Sequence, residues 1–171
     1  MENRVQEILN ILMESEPEAM AQIQGDVQYS ELQGTVLFYP FWSGTLVFIY
    51  CTVLPDSTDV CQKKICAFHI HEDSQCSGPA NNPFANAGTH YNPTNCPHPS
   101  HAGDMPVLFS NHGTALQIFY TDRFMPQNVI GRTAIIHAEP DDYRTQPSGN
   151  SGMMIACGEI KSIERRRPSF L

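Results

Sequence analysis

The sequence predicts an all-β fold, a sandwich or barrel of eight short strands behind one short helix. Three observations carry this. Beyond residue 20 the apolar residues come in short runs cut by Gly, Pro, Asn and Asp, and none keeps a helical period. The chain holds 11 Gly and 13 Pro, the punctuation of a turn-rich fold. Only 16% of residues are charged, against the quarter usual in globular proteins, which excludes a long-helix or coiled-coil protein.

The elements follow in order. Val5, Ile8, Leu9 and Leu12 fall at helical spacing, so residues 3–15 read as a short amphipathic helix that Pro17 closes. Candidate strands are Met20–Gln24, Leu32–Tyr39, Thr45–Leu54, Ile65–His71, Val107–Phe109, Thr114–Tyr120, Thr133–His137 and Ile155–Ile160. The stretch from Thr35 to Pro55 contains no charged residue and could be mistaken for a membrane span. Pro40, Ser43 and Gly44 interrupt it and β-branched and aromatic residues dominate, so two strands with a tight turn at Phe41-Trp42-Ser43-Gly44 fit better. Two long irregular stretches remain, Glu72–Met105 and Ala138–Gly152, and loops of that length are uncommon in a compact domain unless they are functional or disordered. The end of the chain, with Arg165-Arg166-Arg167, reads as a solvated tail. These limits divide the chain into an N-terminal helical extension (1–19), a β-domain (20–161) and a C-terminal tail (162–171), without internal repeats.

At 171 residues the chain is one domain of ordinary size, able to bury roughly 70% of the surface its unfolded form exposes, so no metal or disulfide is needed merely to build a core. Net charge is −8, which argues against nucleic-acid binding because phosphate contacts require clustered Lys and Arg. Most of that charge sits in residues 1–31, whose net is −6, so the remaining body is nearly neutral. The start, Met1-Glu2-Asn3-Arg4, lacks the pattern of a secretory leader, which points to the cytoplasm. Six cysteines point the other way, to an oxidising compartment and export.

Chemistry is concentrated in the histidines. Six of the seven lie between positions 69 and 112, and the seventh is His137. His112, in Asn111-His112-Gly113, reads as an exposed turn residue. His69 and His71 stand two apart on a strand, so both imidazoles point to one face about 7 Å apart at the backbone, a usable chelate. The loop after them carries His90, His98, His101 and Asp104, three imidazoles and one carboxylate within 15 residues, enough to close a tetrahedral zinc site. His137 ends a strand and could meet the 69/71 pair from a neighbour. A zinc hydrolase built on the loop alone leaves His69, His71 and His137 without a use.

Phe68-His69-Ile70-His71-Glu72, Gly88-Thr89-His90-Tyr91-Asn92-Pro93, His101-Ala102-Gly103-Asp104, the His137 strand and Gly149-Asn150-Ser151-Gly152 with Ala156-Cys157-Gly158 together resemble the copper/zinc superoxide dismutases, in that family's order and near its spacing. The resemblance spans about residues 20–160 and implies a Greek-key β-sandwich, or flattened barrel, with two long functional loops. It implies copper held by His69, His71, His90 and His137, zinc held by His90, His98, His101 and Asp104, and His90 as the catalytic imidazolate between them. Asp141 matches the family's aspartate that bonds a ligand of each metal, and Cys76 and Cys157 match its intrachain disulfide. The implied activity is disproportionation of superoxide to oxygen and peroxide through alternating copper oxidation states, because imidazoles suit both copper(II) and copper(I). The implied substrate is small, and the resemblance leaves room for a homodimer and for none of nucleic acid or membrane as partner. A dismutase-like metal-binding module for storage, delivery or structure is the alternative.

Two departures stand out. Where the family carries an arginine three residues before the second disulfide cysteine, this chain has Met154, preceded by Met153; Arg144, in the preceding loop, is the available cation. Cys51, Cys61, Cys66 and Cys96 have no counterpart; they pair in one of three ways or stay free and buried.

Overall fold

The computed structural model describes residues 2–59, 61, 62 and 64–164; of the expected tail (162–171), Ser162 ends the last strand and the Ile163 amide donates to Glu18 O at 3.0 Å, while 165–171, with Arg165-Arg166-Arg167, lie outside the described residues. Among the described residues, helix α1 (Glu2–Glu14) precedes nine strands: β1 (Ala19–Gly25), β2 (Gln33–Phe41), β3 (Gly44–Thr52), β4 (Ile65–Cys66), β5 (Phe68–His71), β6 (Leu108–Phe109), β7 (Ala115–Thr121), β8 (Thr133–His137) and β9 (Met154–Ser162). A second helix, α2 (Pro126–Val129), is four residues long and escaped the sequence reading because it is shorter than any helical period. Seven strands form one antiparallel sheet in the order β5-β8-β9-β1-β2-β3-β7, while β4 and β6 pair separately. The connection that returns β7 beside β3 passes through β4, β5 and β6.

The expected strand Ile65–His71 is two strands. Ile65 and Cys66 pair with Phe109 and Leu108, and then Ala67 leaves that ladder, donating its N–H to Glu139 O. Phe68–His71 pairs with β8 instead. The whole run is apolar or buried, so its pattern carries no mark of the change in partner.

The predicted hairpin forms: Phe41 and Gly44 face each other across the two-residue turn Trp42-Ser43, with Trp42 at φ 49°. A Cβ at Gly44 would stand 2.2 Å from Thr121 O, so glycine is what admits β7 beside this turn. No described helix is long and apolar enough to cross a membrane.

Ala21, Ile23, Val36, Phe38, Val47, Ile49, Phe68, Ile70, Ala134 and Ile136 fill the interior of the curled sheet. Outside the sheet, Tyr39, Phe41 and Leu46 receive Ile8, Ile11 and Leu12, so α1 is a lid on the outer face of β2 and β3. Period-two alternation explains the placing of the site. On β5, Phe68 and Ile70 enter the core, which turns His69 and His71 to the opposite face; on β8, Ala134 and Ile136 do the same for His137. The two long loops close over that face.

Candidate metal centre

Seven buried residues meet there, none more than 6% exposed: His69, His71, His90, His98, His101, Asp104 and His137. They fall into two groups of four, His69-His71-His90-His137 and His90-His98-His101-Asp104, whose ligand atoms lie within 4.8 Å of one another in each group. His90 belongs to both. Isolated bridges hold the loop against β5: His71 pairs with His90, and His69 with Asp104.

Hydrogen bonds decide which nitrogen of each ring faces inward. A carboxylate or carbonyl can only accept, so the ring nitrogen against it carries the proton and its partner nitrogen is left as a lone pair. Asp141 accepts from His69 Nε2 at 2.8 Å through one oxygen and from His98 Nε2 at 2.9 Å through the other. His71 Nδ1 donates to Gly88 O at 2.9 Å and His137 Nδ1 to Gly152 O at 3.2 Å. His90 Nδ1 lies 2.7 Å from Asp104 Oδ1 and donates to it, so this nitrogen can join the second group as a ligand only by giving up its proton, which makes the ring an imidazolate.

The atoms left over are the ones a metal would take. Buried and without hydrogen-bond partners are His69 Nδ1, His90 Nε2, His98 Nδ1 and His101 Nδ1. His71 Nε2 and His137 Nε2 stand 3.3 Å apart, and since each ring has its proton on Nδ1, two lone pairs face each other. His98 Nδ1 and His101 Nδ1 likewise sit 3.2 and 3.3 Å from the Asp104 carboxylate without hydrogen-bond geometry. Clustered buried acceptors repel one another unless a cation lies among them. The donor sets therefore fit metals: four imidazoles on one side suit copper, three imidazoles and a carboxylate on the other suit zinc.

Electrostatics point the same way. Burial pushes the His69 imidazole down to about 4 and His71 to about 3, and holds His137 well below its ordinary value, so all three are neutral, the form that ligates. Burial raises the Asp141 carboxyl, but hydrogen bonds from His69, the Tyr143 amide and His98 overcome it and hold it at about 2. Asp104 is also held below the carboxylate range, burial being outweighed by the bond from His90 and the neighbouring imidazoles.

Cys76 and Cys157 form a disulfide across 81 residues, tying the start of the first long loop to β9. Cys51, Cys61, Cys66 and Cys96 are free; the first and third are buried. Met154 is partly buried in a small apolar cluster with Phe84, Ala87, Ile135 and Cys157, and Met153 beside it is 53% exposed. Arg144 is exposed in a turn whose amides bond Asp142. His112 is exposed at φ 52° in its turn, as expected.

Sequence reading missed three residues that organise the loops. Arg123 Nη1 reaches the carbonyls of Pro99, His101 and Asp104. Gln146 bonds both backbone groups of His98. Arg132 lies 3.7 Å over the Tyr91 ring and donates to Glu72 O. Each is a single polar residue in an unremarkable stretch, and nothing local marks it.

Comparison with known proteins bears on the same region. The family model described as copper/zinc superoxide dismutase matches residues 32–160. A Cu-Zn superoxide dismutase of Deinococcus radiodurans is 34% identical over 154 residues, covering 80% of this chain and 81% of its own. Cu-Zn superoxide dismutase 2 of Aquifex aeolicus is 33% identical over 134 residues, covering 70% and 73%. Among solved structures, a Cu/Zn superoxide dismutase from Brucella abortus superposes with a TM-score of 0.68 over 83% of this chain and 99% of its own, at 24% identity, a likeness of fold.

Proposed function

The chain belongs to the copper/zinc superoxide dismutase family, and on that premise we propose that it disproportionates superoxide to oxygen and hydrogen peroxide at a paired copper–zinc site. The observation that carries the proposal is His90, the one imidazole common to both ligand groups, with Nδ1 toward Asp104 and a bare, buried Nε2 toward His69, His71 and His137.

Copper, when bound by His69, His71, His90 and His137, supplies a one-electron couple, and zinc, held by His90, His98, His101 and Asp104, supplies a fixed charge with no redox of its own. The chain's residues do the rest. Asp141 fixes the tautomers of His69 and His98 at once, so their Nδ1 lone pairs face inward on both sides of the centre. Gly88 O and Gly152 O fix the opposite tautomer in His71 and His137, so that their Nε2 lone pairs face inward. His90 Nε2 is the atom placed to hold and hand over the proton that peroxide requires, while Nδ1 stays anchored on the Asp104 side.

The testing experiment is metal analysis with direct superoxide decay kinetics on protein loaded with both metals. One copper and one zinc per chain with catalytic decay supports the proposal; two bound metals with decay no faster than free solution overturns it. That second result would favour a dismutase-like metal-binding module, for which the observation is Met154: a neutral thioether in apolar packing, bringing no positive charge to the copper side. The Cys76–Cys157 disulfide supports an oxidising, extracytoplasmic setting over the cytoplasm.

A further inference from the structure

Arg123 stands two residues past the end of β7 and 19 residues beyond Asp104. Its Nη1 lies 3.0 Å from Pro99 O, 2.9 Å from His101 O and 3.2 Å from Asp104 O. One nitrogen with two hydrogens thus serves three acceptors, all from the turn 99–104. That turn carries His101 and Asp104 and begins one residue after His98. Carbonyls that converge on a cation on one side leave the side chains to the other. There Asp104 Oδ1 meets His90 Nδ1 at 2.7 Å and Asp104 Oδ2 accepts the His101 amide at 2.9 Å.

We infer that Arg123 is a positioning residue for zinc: its guanidinium shapes the turn 99–104 so that His98, His101 and Asp104 present their ligand atoms as one preformed set. The inference rests on reading those residues with His90 as the zinc ligands. Two effects of the guanidinium oppose each other. Its charge repels a dication and would weaken zinc. Its clamp removes the need to order the turn when the metal arrives and would tighten it. Three carbonyl dipoles face the charge and the ligand atoms lie beyond them, so the clamp prevails. Removing outer partners of metal ligands typically lowers affinity about 10–100-fold, and that is the size expected here. The two effects differ in sign, so the measurement is decisive.

The metal-free full chain, as wild type, Arg123→Ala and Arg123→Gln, is titrated with zinc and with cobalt(II) in chelator competition, and the visible spectrum of the cobalt form is recorded. Zinc binding about 10–100-fold weaker in Arg123→Ala, with a shifted cobalt spectrum, supports the inference. So does partial restoration of both by millimolar guanidinium but not by equal sodium chloride, since the vacated position opens on a cavity of about 340 Å³ lined by Pro99, Asp104, Phe119 and Tyr143. Unchanged or tighter zinc binding with an unchanged spectrum overturns it. Should Arg123→Ala fail to fold, Arg123→Gln, which keeps the length and loses the charge, decides by the same readouts. If the wild type itself takes up neither zinc nor cobalt in stoichiometric amount, the ligand reading falls, and the role of Arg123 with it.

Discussion

Gln146 treats His98 as a neighbouring strand would: its Oε1 accepts the His98 amide at 3.0 Å and its Nε2 donates to His98 O at 2.7 Å. The partners are 48 residues apart, one in each long loop. Asp141, five residues before Gln146, bonds the His98 ring at 2.9 Å. The second loop therefore holds His98 by backbone and by side chain, and both loops are one unit around the centre.

Replacing Gln146 by Ala removes both backbone bonds and should lower stability by about 1–3 kcal/mol. Gln146→Glu keeps the acceptor for the His98 amide but sets a carboxylate against a carbonyl, and should cost at least as much. Denaturant midpoints of the metal-free proteins check this. A Gln146→Glu protein as stable as wild type would show that the bond to His98 O contributes nothing.

His137 and Asp104 separate the two halves of the centre. His137→Ala should abolish superoxide turnover and leave zinc bound, because His137 is in the all-imidazole group alone. Asp104→Ala should weaken zinc first, since it removes the carboxylate of the other group and the partner of His90. Metal content and decay kinetics on each variant check both. Full activity in His137→Ala would sink the copper assignment.

Met154 bears on capture of the substrate. Positive charge focused in a cleft raises anion association about 10- to 1000-fold, and salt removes the gain. Met154 supplies no such field, so turnover should fall about tenfold or more below the diffusional ceiling, with weak dependence on ionic strength. Met154→Arg should raise the rate at low salt and restore salt sensitivity. A wild-type rate near the ceiling with steep salt dependence would assign the guiding charge to another cation, Arg144 first.

The two buried thiols give a pH dependence opposite to acid denaturation. Burial pushes Cys51 up to about 12 and Cys66 to about 11, from an ordinary value of 9.0. Above pH 9 the folded state therefore holds protons that the unfolded chain releases, so stability contributed below pH 9 is lost as pH rises toward 11 and 12. At pH 9 iodoacetamide should label exposed Cys61 and leave Cys51 and Cys66 unmodified until denaturant is added, as read by mass spectrometry. Labelling of Cys51 at the rate of Cys61 would refute their burial.

Much of the centre was legible in the residues themselves. Phe68-His69-Ile70-His71 alternates core and site because a strand turns successive side chains to opposite faces, a local geometry that needs no partner to be known. The order of the histidine, glycine and cysteine motifs carried the resemblance to the family, and the two groups of side chains that the resemblance implies as metal ligands are groups that the fold brings together. Other features were decided only by tertiary structure. The break at Ala67 depends on which strand lies beside it, Phe109 and Leu108 on one side and Ile136 onward on the other. Which nitrogen of His69 faces inward depends on Asp141, 72 residues away. The clamps from Arg123 and Gln146 depend on where two loops without periodicity come to rest. A repeating strand or helix writes its facing into the order of apolar residues. A hydrogen bond from one side chain to a distant carbonyl leaves no such trace, because any polar residue of the right reach could make it and only the packed chain says which one does.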